Sequence, residues 1–234
     1  MTIDPVELTG VPAEIKLIRH MAADDYVIQA AQVSAKGEND PKVVPPRFIN
    51  ALMSQRHGSP FEHTAFTFFV KAPLFTFREW QRHRVSSFNE MSGRYTELLP
   101  EFYQPYLDRK VKNVGTKMKP EFIVDEPLTK EVQDSVSFVS HSAWSEYQRL
   151  LEKDVAPEVA RMVLPLNIMS QMYWTVNARS LMNFLSLRVQ SEASLVRSYP
   201  QYEIDEAAQV VEKAFAEAMP LTHEAFVNNG RVAP

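Results

Sequence analysis

The sequence of 234 residues contains no cysteine. Without a thiol, the protein has no disulfide bond, no zinc site with thiolate ligands and no cysteine nucleophile. Glycine is also scarce, because only six residues are glycine and they lie far apart in the chain. Neither a GxGxxG dinucleotide-binding turn nor a Walker A phosphate loop can therefore form. A nucleotide, if one binds, must be held by other means.

Long apolar runs and an excess of positive charge are missing as well. The longest apolar stretch, Ala65 to Val70, falls far short of the ~20 residues of a membrane span. The N-terminus is acidic and has no apolar run, so its pattern is not that of a signal peptide. The 25 Lys and Arg residues against 29 Asp and Glu residues disfavour a general nucleic-acid coat protein. We expect a cytoplasmic protein that binds neither membrane nor nucleic acid.

The length and the order of the predicted elements indicate one mixed domain. At ~150 residues per domain, 234 residues make one large domain or two small ones. Hydrophobic periodicity predicts strands and helices in mixed order, and no repeat or low-complexity linker separates them. The fold class is therefore α/β or α+β, with residues 1–234 as a single domain. The strands are 14–20, 62–71 and 171–176, and the helices are 24–34, 46–55, 73–82, 130–153, 180–191 and 203–219.

One polar stretch, Tyr106 to Pro127, interrupts this order. It carries several lysines and has no clear apolar periodicity. We interpret it as an excursion with little regular structure that does not mark a domain boundary.

The segment Arg82 to Tyr95, RHRVSSFNEMSGRY, does not have the composition of a core element. A solvated helix end followed by a polar loop would explain it, since the positive charge of arginine interacts favourably with the negative end of the helix dipole. An anion-binding loop would explain it equally well. Arginine offers a planar fork of donors to phosphate, serine and loop N–H groups add neutral donors, and Gly93 permits close backbone approach. Glu90 could accept from a ribose hydroxyl or a base N–H, or could balance the charge.

A second polar cluster is Asn177 to Arg188, NARSLMNFLSLR. Arg179 and Asn183 are four residues apart and share a helix face, and Arg188 leans toward a neighbouring face. Polar groups in so apolar a helix are either partnered in the core or directed at a ligand. For Asn183 alone, a satisfied core amide is the favoured interpretation.

The histidines and Ser92 do not predict a metal site or a nucleophile. None of the six histidines forms an HxH or HExxH pattern, so packing or hydrogen bonding accounts for each more simply. No Ser–His–Asp order or GxSxG elbow supports Ser92 as a nucleophile.

The same two clusters resemble one enzyme family. RHRVSSFNEMSGR is a full match to RHRxxSxNExSxR, the signature of the flavin-dependent thymidylate synthases. HGSPFEH (57–63), EVARMVLPLN (158–167) and WTVNARSLMNFLSLR (174–188) are also similar to that family. The resemblance covers most of residues 15–188 and, more weakly, the final helix. It is not clear in 106–127, and 189–200 is longer than in the family pattern.

The resemblance implies an activity, a fold and a set of ligands. The family makes dTMP from dUMP with 5,10-methylenetetrahydrofolate as carbon donor, and NADPH reduces a non-covalently bound FAD. It is a homotetramer whose sites are shared between subunits, and its fold is a mixed α/β domain with a central antiparallel sheet. The missing cysteine agrees with this, because the unrelated class of thymidylate synthase attacks uracil with a cysteine thiolate.

The resemblance also assigns roles to individual residues. Arg188 would activate the uracil ring. The residues implied to hold FAD are Ser59, Arg82, His83, Arg84, Glu90, Asn177, Arg179 and Asn183. The residues implied to hold dUMP are Glu79, Arg82, Glu90, Met91, Ser92, Gly93, Arg94, Arg161 and Arg188.

Two alternatives remain open at this point. A nucleotide- or RNA-binding module without catalytic activity would use the same arginines, with Phe88 and Tyr95 for stacking. A helical assembly protein would explain the 130–153 helix but not the arginine-rich segment.

Overall fold

The computed structural model describes residues 6–41 and 43–234 of the chain. Its strands are β1 Glu7–Thr9, β2 Glu14–Met21, β3 Ala65–Pro73, β4 Ser87–Glu90, β5 Glu101–Tyr103, β6 Lys110–Asn113, β7 Phe122–Val124 and β8 Met169–Val176. Its helices are α1 Asp24–Lys36, α2 Pro46–Ser54, α3 Leu74–Trp80, α4 Glu126–Leu151, α5 Pro157–Ala160, α6 Ala178–Arg188, α7 Tyr202–Ala218 and α8 Pro220–Asn228. Short 3-10 helices span Ser59–His63 and Arg161–Val163.

A four-stranded sheet has the strand order β2-β3-β8-β4. Strands β3 and β8 run antiparallel, because Phe68 meets Trp174 and the next residue along β3, Phe69, meets the preceding residue of β8, Tyr173. Alternate residues of β3, among them Phe66 and Phe68, are fully buried, as expected for a strand with one face in the core. The mixture of helices and strands with an antiparallel sheet confirms the predicted fold class.

The chain divides into two compact units. The first contains the described residues of 1–14, 71–79 and 90–172, and the second contains those of 15–70, 80–89 and 173–234. The prediction that residues 1–234 form one domain stays a prediction. Each unit has an aromatic core: Phe102, Trp144 and Tyr147 in the first, and a larger cluster around Trp174 in the second.

The segment Tyr106 to Pro127 contains more regular structure than we predicted. Strands β6 and β7 pair antiparallel within it, with a register shift between Lys110 and Lys112. The apolar side chains of this hairpin are largely exposed, so it lacks the alternation that marks a half-buried strand. The prediction of an irregular excursion was therefore wrong.

Helix α4 also begins earlier than the apolar periodicity predicts. Oδ1 of Asp125 accepts a hydrogen bond from the backbone N–H of Leu128 and caps the helix. Pro127 lies in the first turn, where its missing N–H needs no partner. A proline that we interpreted as part of the loop is thus part of the helix.

Helix α8 and strand β4 were not predicted. The carboxylate of Asp24 accepts hydrogen bonds from the backbone N–H groups of Leu221 and Thr222, both at 2.9 Å. A cap supplied by a residue almost 200 positions away leaves no local signal in the sequence. Strand β4 lies inside the arginine-rich segment, so that segment is not a loop throughout. Among the described residues, no helix has the length and apolar character that a membrane span requires.

Candidate functional site

A cavity of about 530 Å³ lies in the second unit. It collects six of the residues that the sequence implicates in binding, from both polar clusters. Four arginines and one carboxylate give it a positive charge, which suits a phosphorylated ligand. The lining residues are Glu62, Arg82, His83, Arg84, Val85, Arg179, Ser180, Asn183, Leu187, Arg188, Ala233 and Pro234.

Buried aromatic rings bring the two clusters together. Trp80, the last residue of α3, stands two positions before Arg82 and packs on Phe184 with 4.9 Å between ring centroids. Trp174 of β8 contacts both of these rings, at 5.2 and 5.0 Å. All three side chains are fully buried. Arg82 and Asn183, each close in sequence to one of these rings, are therefore placed by core packing.

Helix α6 separates its apolar and polar side chains as the spacing predicts. Leu181, Met182, Phe184 and Leu185 are buried, whereas Arg179 and Asn183 are exposed and line the cavity. The favoured interpretation of Asn183 as a core amide was therefore wrong. A side chain on the polar face of this helix meets the cavity and not the core.

Arg188 and His83 form a hydrogen-bonded pair in the cavity. Nε of Arg188 donates to Nε2 of His83 at 3.1 Å, and the imidazole ring packs edge-on against Phe184. Because Nε2 is the acceptor, the imidazole is neutral, with its proton on Nδ1. Burial, and then the positive charge of Arg188, lower the pKa of His83 to about 4. The pair thus carries the single charge of Arg188 near neutral pH.

Arg179, the second residue of α6, is held from two sides. Its Nε donates to the backbone carbonyl of Pro234 at 2.7 Å, and its Nη1 pairs with Oε1 of Glu62 at 2.5 Å. Gly58 makes this arrangement possible. A Cβ on Gly58 would lie 2.5 Å from Nε of Arg179 and 2.7 Å from the carbonyl oxygen of Pro234. Only a residue without a side chain leaves room for both.

Three residues implied to hold FAD, namely Ser59, Asn177 and Glu90, do not line the cavity. Ser59 begins the first 3-10 helix and is exposed. Asn177 precedes α6, and its Oδ1 caps the helix by accepting from the N–H of Ser180 at 2.8 Å. Capping accounts for the amide oxygen of Asn177, so its contact with FAD stays a prediction, as does that of Ser59.

Other residues implied in binding lie in the first unit. Oε1 of Glu90 accepts from the hydroxyl of Ser170, and the N–H of Met91 donates to the carbonyl of Gln171. Oγ of Ser92 accepts from the N–H of Arg94 at 3.2 Å. These local bonds fix the chain from the end of β4 through the turn that carries Gly93, which is itself buried.

Arg94 and Arg161 have exposed side chains in this unit. Nε of Arg94 forms an ion pair with Oε2 of Glu158 at 2.6 Å. Arg161 begins the second 3-10 helix and is followed by the exposed apolar residues Met162 and Val163. Glu79 is part of α3 and is partly buried. The implied dUMP roles of these residues stay predictions.

The cavity also contains residues that the sequence analysis did not single out. Glu62 belongs to the HGSPFEH segment, so the family resemblance pointed to its neighbourhood but not to its ion pair with Arg179. Ala233 and Pro234 had no signal, because neither side chain carries a functional group, and the bond from Arg179 goes to the backbone of Pro234.

The side chains in the cavity fit FAD. A dinucleotide carries two phosphates, and arginine forks bind phosphate oxygens with charge-assisted hydrogen bonds. Arg82, Arg84 and Arg179 could serve the phosphates, and the amide of Asn183 could serve a ribose hydroxyl or a ring edge. The absence of a GxGxxG turn is no objection, because charged side chains can bind phosphate in place of loop N–H groups.

The comparison with known proteins agrees with the signature. Residues 16–221 match the family Thy1, thymidylate synthase complementing protein. The flavin-dependent thymidylate synthase of Streptomyces coelicolor is 49% identical over an alignment of 228 positions that covers 94% of this chain and 93% of that protein. The flavin-dependent thymidylate synthase of Tropheryma whipplei is 44% identical over an alignment of 240 positions that covers 99% of this chain and 98% of the relative.

A solved structure is similar over the same length. The crystal structure of the UMP/dUMP methylase PolB from Streptomyces cacaoi bound with 5-Br UMP has a TM-score of 0.91 and 41% identity, and covers 98% of this chain and 99% of that one. Matches of this extent leave no room for a binding module without catalytic activity or for a helical assembly protein. The chain belongs to the Thy1 family, the family of the flavin-dependent thymidylate synthases.

Proposed function

We propose that this chain converts dUMP to dTMP, with 5,10-methylenetetrahydrofolate as carbon donor, NADPH as reductant and non-covalent FAD as the redox cofactor. The observation that carries the proposal is the cavity in which the Arg82–His83–Arg84 run meets Arg179, Asn183 and Arg188. Family membership supplies the reaction. The proposal includes the cytoplasmic location expected from the sequence.

The flavin part of the site is built from the second unit. Arg82, Arg84 and Arg179 bind the diphosphate, His83 packs beside the cofactor, and Asn183 supplies a neutral hydrogen bond. Ser59, Glu90 and Asn177 are included on the family resemblance alone. A bound flavin supplies the hydride that methylation without a cysteine requires. The protein contributes binding, orientation and a positive field.

The nucleotide part of the site depends on arginines. Arg94 binds the 5′-phosphate of dUMP, with the N–H groups of the Met91–Ser92–Gly93 turn close by in sequence. Glu79, Arg82, Glu90 and Arg161 complete the set implied by the resemblance. Arg188 faces the uracil ring and stabilises negative charge as it develops there. Because arginine stays protonated, Arg188 acts as an electrostatic stabiliser and not as a base.

The assembly is a homotetramer that shares its sites between subunits. In support, the chain around Arg161 exposes Val159, Met162, Val163 and Leu166. A cluster of exposed apolar side chains in a short segment is typical of a surface that another chain covers. A cationic residue in such a surface is well placed to meet an anionic substrate at a subunit boundary.

UMP is a second candidate substrate. PolB, which is 41% identical to this chain, is a UMP/dUMP methylase. The two nucleotides differ only in the 2′-hydroxyl, so a site that does not fill the space at C2′ accepts both. Methylation of UMP would use the same residues as methylation of dUMP.

The test is the absorption spectrum and turnover of the purified protein. We expect a visible flavin band that is released by denaturation, and dTMP formation that requires dUMP, the folate and NADPH together. A parallel reaction with UMP in place of dUMP, analysed by the mass of the methylated product, shows whether the protein accepts both nucleotides. A colourless protein that cannot be reconstituted with FAD would remove the proposal, since the flavin carries the chemistry.

A further inference from the structure

The segment Gly230–Pro234 follows α8 and ends at the cavity, where Ala233 and Pro234 form part of the lining. The chain reverses at Gly230 and Arg231, whose φ angles are 75° and 56°. A left-handed conformation is costly for a residue with a side chain, such as Arg231. Such a conformation persists only where surrounding contacts fix it.

The first of these contacts is a buried ion pair. Arg231 is 5% exposed, and its two Nη atoms donate to the two carboxylate oxygens of Glu212 at 2.6 and 2.8 Å. Nε2 of His223 lies 2.8 Å from the same carboxylate. Burial would raise the pKa of Glu212, but the hydrogen bonds from His223 and Arg231 and the charge of Arg231 lower it to about 2. The bidentate pair is therefore ionised at any working pH, and bonds of this type are strong.

Two further contacts hold the backbone of the segment. Nη1 of Arg56 donates to the carbonyls of Val232 and Ala233 at 3.1 and 3.2 Å. The N–H of Leu195 donates to the carbonyl of Gly230 at 2.9 Å. The segment is thus held at its start, at its turn and along its length.

The last carbonyl of the segment fixes an arginine of the site. The carbonyl of Pro234 accepts from Nε of Arg179, and Glu62 takes Nη1 of the same guanidinium. Two bonds to different edges of a planar group define its orientation. Across residues 6–41 and 43–234, no hydrogen bond engages Nη2 of Arg179, which remains available to a ligand in the cavity.

We propose that Gly230–Pro234 is a fixed wall of the flavin site and that Glu212, through Arg231, is a positioning residue that holds Arg179 in place for the cofactor. The identity of the ligand rests on the proposed function. The existence of the wall rests on the hydrogen bonds alone. Glu212 belongs to α7, does not line the cavity and has no role in the signature.

The experiment compares the binding of FAD to the apoprotein of three variants, followed by flavin fluorescence. Glu212→Gln removes the charge that anchors Arg231, and Arg56→Met removes the bonds to Val232 and Ala233. Each is expected to weaken FAD binding about tenfold. The control is Thr222→Val in α8, which loses a buried bond to Asp24 and hence stability, but no bond to the segment. Its affinity for FAD should equal that of the wild type.

A second readout separates this proposal from the proposed function. Amide hydrogen exchange of 230–233 in the apoprotein should become faster in Glu212→Gln and in Arg56→Met, whether or not FAD is the ligand. If the wild type binds no FAD, the proposed function fails and the exchange result still decides whether the pair holds the segment. Unchanged exchange in both variants means that the two anchors do not hold the wall.

Affinity changes decide what the wall does. If the wild type binds FAD and both variants bind it equally well, the segment plays no part in the site. If the variants bind FAD more tightly, the segment occupies space that the cofactor needs and is a plug, not a wall. In Arg179→Lys, the addition of Arg56→Met should weaken FAD binding no further, because the segment acts through Arg179. Independent, additive losses would contradict that route.

Discussion

Nε of Arg94 lies 2.6 Å from Oε2 of Glu158, so the residue proposed to bind the phosphate of dUMP already has an anionic partner within its own chain. Both side chains are about half exposed, at 57% and 47%. Exposed ion pairs contribute only about 0–1 kcal/mol, because water screens them. A phosphate that accepts two charge-assisted bonds can therefore replace Glu158 as the partner of Arg94.

Loss of Arg94 should act on the phosphate and not on the base. We expect Arg94→Ala to weaken dUMP binding by about one to two decades, because a charge-assisted bond contributes roughly 1.5–3 kcal/mol. FAD binding should change much less. Deoxyuridine, which lacks the phosphate, serves as the control ligand in the same titration. Equal losses for dUMP and deoxyuridine would mean that Arg94 supports folding or contacts the base.

Loss of Glu158 should have the opposite effect. In Glu158→Gln the carboxylate no longer competes for Arg94, so dUMP affinity should rise by up to about fivefold, the equivalent of the ~1 kcal/mol of an exposed pair. Isothermal titration with dUMP measures the change. Glu146→Gln breaks the exposed ion pair with Arg149 in α4 and is the matched control. A fall in dUMP affinity would show that Glu158 orients Arg94 instead of competing for it.

The apolar surface around Arg161 should be needed for assembly. Met162 is 78% exposed, so a charged side chain at this position costs the isolated chain little. If a second copy covers it, Met162→Glu buries an unpaired charge and should shift the proposed tetramer to smaller species. Sedimentation velocity measures the distribution of oligomeric species. Met118→Glu, at another exposed methionine, is the control. An unchanged size distribution would exclude this surface as an interface.

The fold could be predicted from the sequence where local signals and burial agree. Strand β3 is rich in aromatic and β-branched residues and buries alternate side chains, and α7 has its apolar residues at helical spacing, so both were predicted close to their observed ranges. The prediction failed where a remote residue decides the structure. The start of α8 is capped by Asp24, and the β6–β7 hairpin is held by backbone pairing with little burial. Neither leaves a periodic pattern in the sequence.

The site residues, too, could be predicted where their own side chains are distinctive and not where remote contacts decide their position. The arginines of RHR and of α6 have distinctive side chains, so composition and signature both marked them. The contribution of Pro234 is a backbone carbonyl, which every residue has, and its position depends on an ion pair between Glu212 and Arg231. For Asn183 the neighbouring apolar residues in the sequence suggested a core position. Its orientation depends on how α6 packs on Trp80 and Trp174, which a single helix pattern does not give.

His83 should make the stability of the apoprotein depend on pH. Its folded pKa of about 4 lies below the ordinary value of 6.5, because burial and the neighbouring Arg188 disfavour the charged ring. Between these values the unfolded chain binds a proton that the folded chain does not. The free energy of unfolding should therefore fall as pH is lowered from about 6.5 to 4. Urea unfolding of the wild type and of His83→Gln measures this. The free energy of unfolding of the wild type minus that of the variant should fall as pH is lowered over that window. Parallel profiles would contradict a depressed pKa.

The last prediction concerns Arg188, the residue proposed to activate uracil. Carbon C5 of uracil is a weak nucleophile until electron density is pushed toward it, and the chain has no cysteine that could add at C6. A fixed cation at the N3–O2 or N3–O4 edge stabilises the uracil anion as it forms. Arg188 fits because α6 presents it to the cavity and His83 holds its Nε. The guanidinium of Arg188 is a planar fork whose N–H groups match the oxygens of a uracil edge.

Arg188→Lys keeps the charge and removes the fork and the bond to His83. We expect FAD to remain bound and the fold to survive, while dTMP formation falls by at least about 100-fold, a loss of roughly 2.7 kcal/mol of transition-state stabilisation. NADPH oxidation without the folate should fall less, because it needs no nucleophilic uracil. Arg197→Lys, in the segment after α6, is the matched control and should leave both rates unchanged. Near-normal dTMP formation in Arg188→Lys would remove Arg188 from the chemistry, and loss of FAD with unfolding would assign it a structural role.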